Sequence, residues 1–337
     1  MILCGKNLDR ERILVAEIGN NHEGDPALAM QMVTAAADAG ADAVKVQVID
    51  PERLVNKCQV ERIEQLSKFR LGMPTLLKMA DLARARGIGF LASAFDEDSL
   101  LEISRLVDGV KIASGDLDFD QLLIVAAKTG KPVILSTGMG TLDEVRHAVS
   151  TVVSHLPEGR SPYDTLALLH CVSLYPVPLP AANLAAIATL HNTFNLTVGY
   201  SDHTLGIEAA IVSLAFGARI IEKHFTLDNT KSSFRDHQLS ANPEDLRRLS
   251  EVLHKYEEIV GDGGKTTSAA ELAAAQMARR SIVAARDLEA GTILALEDLA
   301  YVRPRNGLPP SASDSLIGRK LRSPLRQHEV LLGSSVE

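Results

Sequence analysis

The chain has 337 residues, 46% hydrophobic and 23% charged, a composition that can bury one large core and leave material for a small second domain. A formal net charge of −8 excludes the broad basic face that general nucleic-acid binding needs, but a few lysines in a cleft can still hold a small anion. The three cysteines, Cys4, Cys58 and Cys171, are scattered without a CxxC pair, which excludes a disulfide framework and a zinc ribbon.

Residues 1–12 are charged and lack the apolar core of a signal peptide, and no apolar run reaches the roughly 18 residues of a membrane helix. A cytoplasmic protein with neither membrane nor nucleic-acid partner is the expectation. From residue 13 onward, short apolar runs alternate with stretches of helical period. The runs cover 13–19, 43–49, 89–95, 109–114, 132–138, 166–174, 196–201 and 219–227, and helical stretches such as 26–39, 74–86 and 206–216 follow them. Strands that are Val-, Ile- and Leu-rich almost throughout suit a parallel sheet covered by helices. Eight βα units in about 250 residues match a TIM (β/α)8 barrel. A doubly wound sheet would normally carry a GxGxxG loop after its first strand, and Gly19–Asn20–Asn21–His22–Glu23–Gly24 is not one. The last barrel helix is expected over 243–259. The Gly-, Thr-, Ser- and Ala-rich stretch 261–275 then reads as a linker with a helical second half. Beyond Arg279 the pattern changes to short strands and turns. The expected organisation is a catalytic barrel over 1–262, a linker over 263–278 and a small β-rich module over 279–337 that docks on another surface.

In such barrels the chemistry sits at the C-terminal strand ends and the loops after them. The first run ends with Glu17, the second carries Lys45 and Gln47, and the third ends near Ser93. The fourth supplies Lys111, Ser114 and Asp116, the fifth Ser136 and Thr137, and the sixth His170, Ser173 and Tyr175. The seventh ends in Ser201, Asp202 and His203, and the eighth holds Glu222, Lys223 and His224. All would face one mouth, as an enzyme requires. A lone histidine such as His170 is more often structural than functional. His203 and His224 differ, because they stand at matching ends of adjacent strands. With Glu17 beside them and Asp236 in the next loop they form a candidate site for Mn²⁺, Fe²⁺, Co²⁺ or Zn²⁺. Lys45 and Lys111 lie among apolar residues, so each needs an anion. It is either an internal carboxylate, Glu17 or Asp116, or a bound phosphate or carboxylate aided by Ser93, Ser114, Ser136 and Ser201. Glu222 and Lys223 point to alternate faces of their strand and are assigned supporting roles.

The strings AEIGNNHEG (16–24), VKVQ (44–47), KIASGD (111–116), STGMG (136–140), GYSDHT (199–204), EKHFT (222–226) and RDHQLS (235–240) occur in this order and resemble the N-acetylneuraminate (sialic acid) synthase family. SIVAARDLEAGTI (281–293) and VRPRNGL (302–308) resemble that family's antifreeze-like (SAF) domain. The resemblance implies condensation of phosphoenolpyruvate with an open-chain N-acetylated amino sugar, such as N-acetylmannosamine, to a nine-carbon 2-keto-3-deoxy acid and phosphate. It implies that His203 and His224 hold a divalent metal, Mn²⁺ or Mg²⁺, and that Glu17 orients or deprotonates water. By the same resemblance Lys45, Ser93, Lys111, Ser114, Ser136, Ser173 and Ser201 hold phosphoenolpyruvate. Asp116, Tyr175 and Asp236 contact the sugar, and Arg303 reaches it from the second subunit of a domain-swapped homodimer. Position 116 is Asp where many members have Glu, and 51–71 departs from the family pattern beside the expected sugar pocket. The legionaminate, pseudaminate and spore-coat branches share these motifs.

Two other classes fit parts of the pattern. A Schiff-base aldolase would use a desolvated Lys45, Lys111 or Lys223. A non-catalytic glycan- or ice-binding protein would use the C-terminal module, but has no need of paired histidines and carboxylates in a barrel mouth.

Overall fold

The eight apolar runs pair in chain order and close into a parallel barrel in the computed structural model, which describes residues 1–231 and 235–337. Its strands are β1 (Ile13–Gly19), β2 (Ala43–Val48), β3 (Gly89–Ala94), β4 (Gly109–Ile112), β5 (Val133–Ser136), β6 (Leu166–Cys171), β7 (Thr197–Asp202) and β8 (Ile220–His224). β8 closes the ring on β1, in register from Ile220 opposite Ile13 to His224 opposite Glu17. Alternation along each strand then sorts the side chains. Outward positions such as Leu14, Val44, Phe90, Val133, Leu168 and Ile221 join one apolar layer with the covering helices. Inward positions Ile13, Val15, Ala43, Leu91, Ile134, Leu169 and Ile220 fill only the lower barrel. One rung nearer the mouth the inward residues turn polar, with Glu17, Lys45, Ser93, Lys111, Ser136, Ser201 and Glu222 all buried. The apolar filling therefore stops where the chemistry begins.

Local signals start the helices. Asp25 accepts from the N–H groups of Ala27 and Leu28, and Pro26 opens the helix Pro26–Asp38. Thr141 and Glu144 cap the helix Leu142–Ser154 reciprocally. The helix Pro26–Asp38 buries Leu28, Met32 and Val33, each contributing roughly 1.5–3 kcal/mol on burial. The first residues carry no periodic signal. They form a short hairpin, Ile2–Leu3 with Lys6–Asn7, whose flanking Met1 and Leu8 join Leu3 in plugging the lower barrel. No helix among the described residues is long and apolar enough to cross a membrane.

The described chain divides into two compact units, Met1–Val260 and Gly261–Glu337. The second contains a helix, Ala269–Ala278, and an antiparallel pair, β9 (Ser281–Ala284) with β10 (Leu299–Val302). Its own core gathers Ile282, Leu288, Leu294, Leu316, Leu321 and Leu331.

His22, in the loop after β1, is 1% exposed, and its Nδ1 accepts from the Gly24 N–H at 3.0 Å, which requires a neutral ring. Burial pushes its pKa down to about 4. The unfolded chain takes up this proton near pH 6.5, so between pH 6.5 and 4 it binds protons that the native state refuses. Stability is therefore lost as the pH falls through that window, by about 3 kcal/mol at its lower end. The wild-type urea midpoint should drop more between pH 7 and pH 4.5 than that of His22→Asn. Equal drops would assign the loss elsewhere.

Candidate active site

The polar rung forms the floor of a cavity of about 310 Å³ at the barrel mouth. A wider space of about 870 Å³ adjoins it, and Gln47, Phe95, Tyr175 and His224 line both.

On one side of the floor Lys45 sits between two carboxylates, with Nζ 2.8 Å from Glu17 Oε2 and 3.6 Å from Glu222 Oε2. Burial alone favours the neutral amine, but the two carboxylates outweigh it and raise the pKa of Lys45. Burial pushes Glu17 up against the pull of Lys45, while Lys45 and Lys111 overcome burial to hold Glu222 low. Lys45 also donates to Ser93 Oγ at 3.4 Å, Gln47 Nε2 donates to Glu17 Oε1 at 3.1 Å, and Ser201 donates to Glu222 Oε1 at 2.8 Å.

Lys111 is different. It is 3% exposed, donates to the Ile112 carbonyl at 2.8 Å, and among the described residues forms no ion pair. Burial lowers its pKa. Of the two partners the sequence allowed it, the internal carboxylate Asp116 makes no such contact. Around Lys111 stand Ser114, Ser136 and Ser173, all lining the cavity. The Gly138 N–H donates to Ser114 Oγ at 3.1 Å. A Cβ at Gly138 would lie 2.5 Å from Ser173 Oγ and 2.8 Å from Ser114 Oγ, so any other residue there would displace both hydroxyls.

The histidines meet next to the two carboxylates, with His224 opposite Glu17 in the strand register and two residues beyond Glu222. The ring centres of His203 and His224 are 5.3 Å apart, with the Tyr175 ring 4.2 Å from that of His203. His203 Nδ1 lies 3.0 Å from the Val172 carbonyl, so this nitrogen carries a proton and Nε2 is the nitrogen available to a metal when the ring is neutral. Two imidazoles bound to one ion at roughly 2.0–2.1 Å per nitrogen place their centres about 5 Å apart, so the pair fits a shared metal. Among the described residues no group of three or more His, Cys, Asp or Glu is arranged as a metal cage.

Other expected residues lie farther out. Asp116, in a 3-10 turn after β4, lines neither cavity, and burial pushes its carboxyl up to about 6 against the pull of Lys111. Asp236 is 8% exposed and lines the wider space beside Glu23. The segment that departs from the family pattern folds into the helices Pro51–Leu54 and Val60–Phe69, which bring Leu54, Arg62, Gln65, Leu66 and Phe69 to that space. A Cβ at Gly24, with φ +81, would strike the Lys68 carbonyl, so this glycine lets the second helix close on the loop after β1. Arg303 belongs to the second unit, exposed just past β10. His170 bonds the Ala182 carbonyl through Nε2 at 2.8 Å and lines neither cavity.

Two further residues belong to the floor. Glu222 lines the cavity between Lys45 and Ser201. The period-2 rule already put it on the face of His224, two residues on. Cys171 also lines the cavity, with Sγ 3.7 Å from His203 Nδ1, and its apolar character hid it.

Residues 32–265 match the NeuB family and residues 279–337 the SAF domain. An N,N'-diacetyllegionaminic acid synthase of Legionella pneumophila is 39% identical over 96% of this chain and 94% of its own length. An N-acetylneuraminate-9-phosphate synthase of Drosophila melanogaster is 33% identical over 99% of this chain and 98% of its own. The crystal structure of an N-acetylneuraminic acid synthetase from Leptospira borgpetersenii superposes with a TM-score of 0.73 at 36% identity, covering 78% of this chain and 90% of that one. With a closed parallel barrel, a polar mouth and a separate small C-terminal unit, the chain belongs to the NeuB family and carries a SAF domain.

Proposed function

We propose that the protein condenses phosphoenolpyruvate with the open-chain form of an N-acetylated amino sugar, yielding a nine-carbon 2-keto-3-deoxy sugar acid and phosphate. The observation that carries this reading is the presence, in one cavity, of a buried lysine that forms no ion pair among the described residues and two imidazoles spaced for one ion. The similarity to sugar acid synthases across nearly the whole chain supports it.

Phosphoenolpyruvate carries a phosphate and a carboxylate on three carbons. Lys111 and Lys45, with Ser93, Ser114, Ser136, Ser173 and Ser201, supply cations and hydroxyls on the scale of such a molecule. A divalent ion held by His203 and His224, Mn²⁺ or Mg²⁺, would polarise the sugar aldehyde. The sugar lies outward, against Tyr175 and Asp236 and the wall from 51–71, with Arg303 supplied by a second subunit. In the reaction C3 of phosphoenolpyruvate bonds to the aldehyde carbon, whose oxygen takes a proton. Water adds at C2, and the C2–O bond to phosphate breaks. Glu17, whose Oε2 is 2.8 Å from Lys45 Nζ, orients this water and accepts its proton.

Protein supplied with Mn²⁺ should release phosphate from phosphoenolpyruvate only when an acetamido aldose is present. Mass spectrometry across mono- and diacetamido sugars should then identify the sugar from the product mass. Undiminished turnover after exhaustive chelation would remove the metal from the proposal. A borohydride-trapped adduct on Lys45 or Lys111 would establish an aldolase of the Schiff-base type instead.

A further inference from the structure

Of the strand positions that face the helices, only Asp202 on β7 and Lys223 on β8 carry charge. Both side chains are 0% exposed. Lys223 Nζ donates to Asp202 Oδ2 at 3.0 Å and to the Thr204 carbonyl at 2.6 Å, and the Thr204 N–H donates to Asp202 Oδ1 at 2.8 Å. Burying an ion pair is a poor way to stabilise a barrel, since apolar residues of similar volume serve as well or better. Its location indicates another purpose. Asp202 immediately precedes His203 and Lys223 immediately precedes His224, and alternation turns both histidines inward while both charges stay outside. One ion pair thus joins the two backbone segments from which the imidazoles hang, and through Thr204 it clamps the chain on the far side of His203 as well.

We propose that the Asp202–Lys223 pair is a positioning brace that fixes the separation and orientation of the His203 and His224 rings. Other contacts complete the hold. The Val177 N–H donates to the His203 carbonyl at 2.9 Å, the Ala241 N–H donates to the His224 carbonyl at 2.7 Å, and Val172 fixes the His203 tautomer. β7 and β8 already pair in register as far as Lys223 opposite Asp202, and the brace adds a side-chain tie at the end of that ladder, where the histidines begin. Its metal-binding consequence rests on the reading of the two histidines as holders of a divalent ion.

The test uses the full chain without substrates. Mn²⁺ affinity is measured by calorimetry, and the histidine rings are followed by nitrogen-proton NMR correlations. The variant Asp202→Leu/Lys223→Met removes both charges at once and so leaves no buried charge unpaired. It should melt close to the wild type, bind Mn²⁺ about 10- to 100-fold more weakly, as loss of supporting contacts does at metal sites, and shift both ring signals. Asp202→Asn, which keeps the acceptor and the shape, gives the same readouts if the double variant does not fold. Wild-type Mn²⁺ affinity in the brace variants, together with loss of binding in His224→Ala, would overturn the brace and leave the metal reading standing. If His203→Ala and His224→Ala bind Mn²⁺ as the wild type does, the metal reading falls. The ring signals of the brace variant then decide alone: unshifted signals overturn the brace, and shifted signals support it.

Discussion

Lys111→Met should leave the protein at least as stable as the wild type while lowering kcat/KM for phosphoenolpyruvate by about 30- to 5,000-fold, the equivalent of about 2–5 kcal/mol. The two effects have one cause. In the ligand-free protein Lys111 is buried, donates to a carbonyl and forms no ion pair, and the through-space pull of Glu222 does not offset its burial, so replacing it with an apolar side chain removes a desolvation cost. In the complex the same ammonium meets an anion in a water-poor cavity, where the lost contact is large. Lys45→Met should behave in the opposite way towards stability. It strips Glu17 and Glu222 of their shared cation and should destabilise by about 3–5 kcal/mol. Urea midpoints and steady-state kinetics on the two variants separate these cases. A Lys111→Met protein as unstable as Lys45→Met, or one with wild-type kinetics for phosphoenolpyruvate, would end the assignment of Lys111 as an anion holder.

The contrast between the two lysines also shows how far the sequence could be followed. Both appear as mid-strand cations among apolar residues, and strand alternation correctly turns both inward. Which of them has an internal partner depends on neighbours from other strands, Glu17 on β1 and Glu222 on β8, brought together only when the barrel closes. The eight strands were legible because each is a short apolar run followed by a stretch of helical period, a local signal. The N-terminal hairpin was not, because its strands are two residues each and it is held by the barrel's open lower end rather than by any periodicity of its own. His203 and His224 were legible as a pair from matching strand ends. The brace behind them was visible only as charges in strands, without the Thr204 contacts that give it a purpose. The outer wall was the least legible part. Arg62, Gln65 and Phe69 reach the wider cavity from a helix that follows no barrel strand directly, so no strand-end rule points to them.

Mixing two damaged proteins should restore activity if Arg303 completes the site of a second subunit. His224→Ala alone should abolish turnover, because it removes one of the two imidazoles proposed to hold the ion. Arg303→Ala should act more mildly. Losing one hydrogen bond from a charged donor costs about 1.5–3 kcal/mol, chiefly in sugar KM, so it is best read at sugar concentrations well below KM. The loop that carries Arg303 is built to hold a donor still. Ser281, fully buried, donates to the Pro304 carbonyl at 2.8 Å and accepts from the N–H groups of Asn306 at 2.8 Å and Gly307 at 3.0 Å. Arg305 Nε donates to the Arg280 carbonyl at 2.8 Å on the same side. A guanidinium on so fixed a loop loses little entropy when it meets a sugar acetamido carbonyl or hydroxyl. After subunit exchange, a dimer of one Arg303→Ala chain and one His224→Ala chain has one site with both residues intact if Arg303 acts across the dimer. Random exchange should then return about a quarter of the wild-type rate. If Arg303 serves the barrel of its own chain, each site keeps its own defect and the mixture stays at the level of the Arg303→Ala chains alone. A single species at monomer mass in sedimentation would remove the second subunit from the proposal altogether.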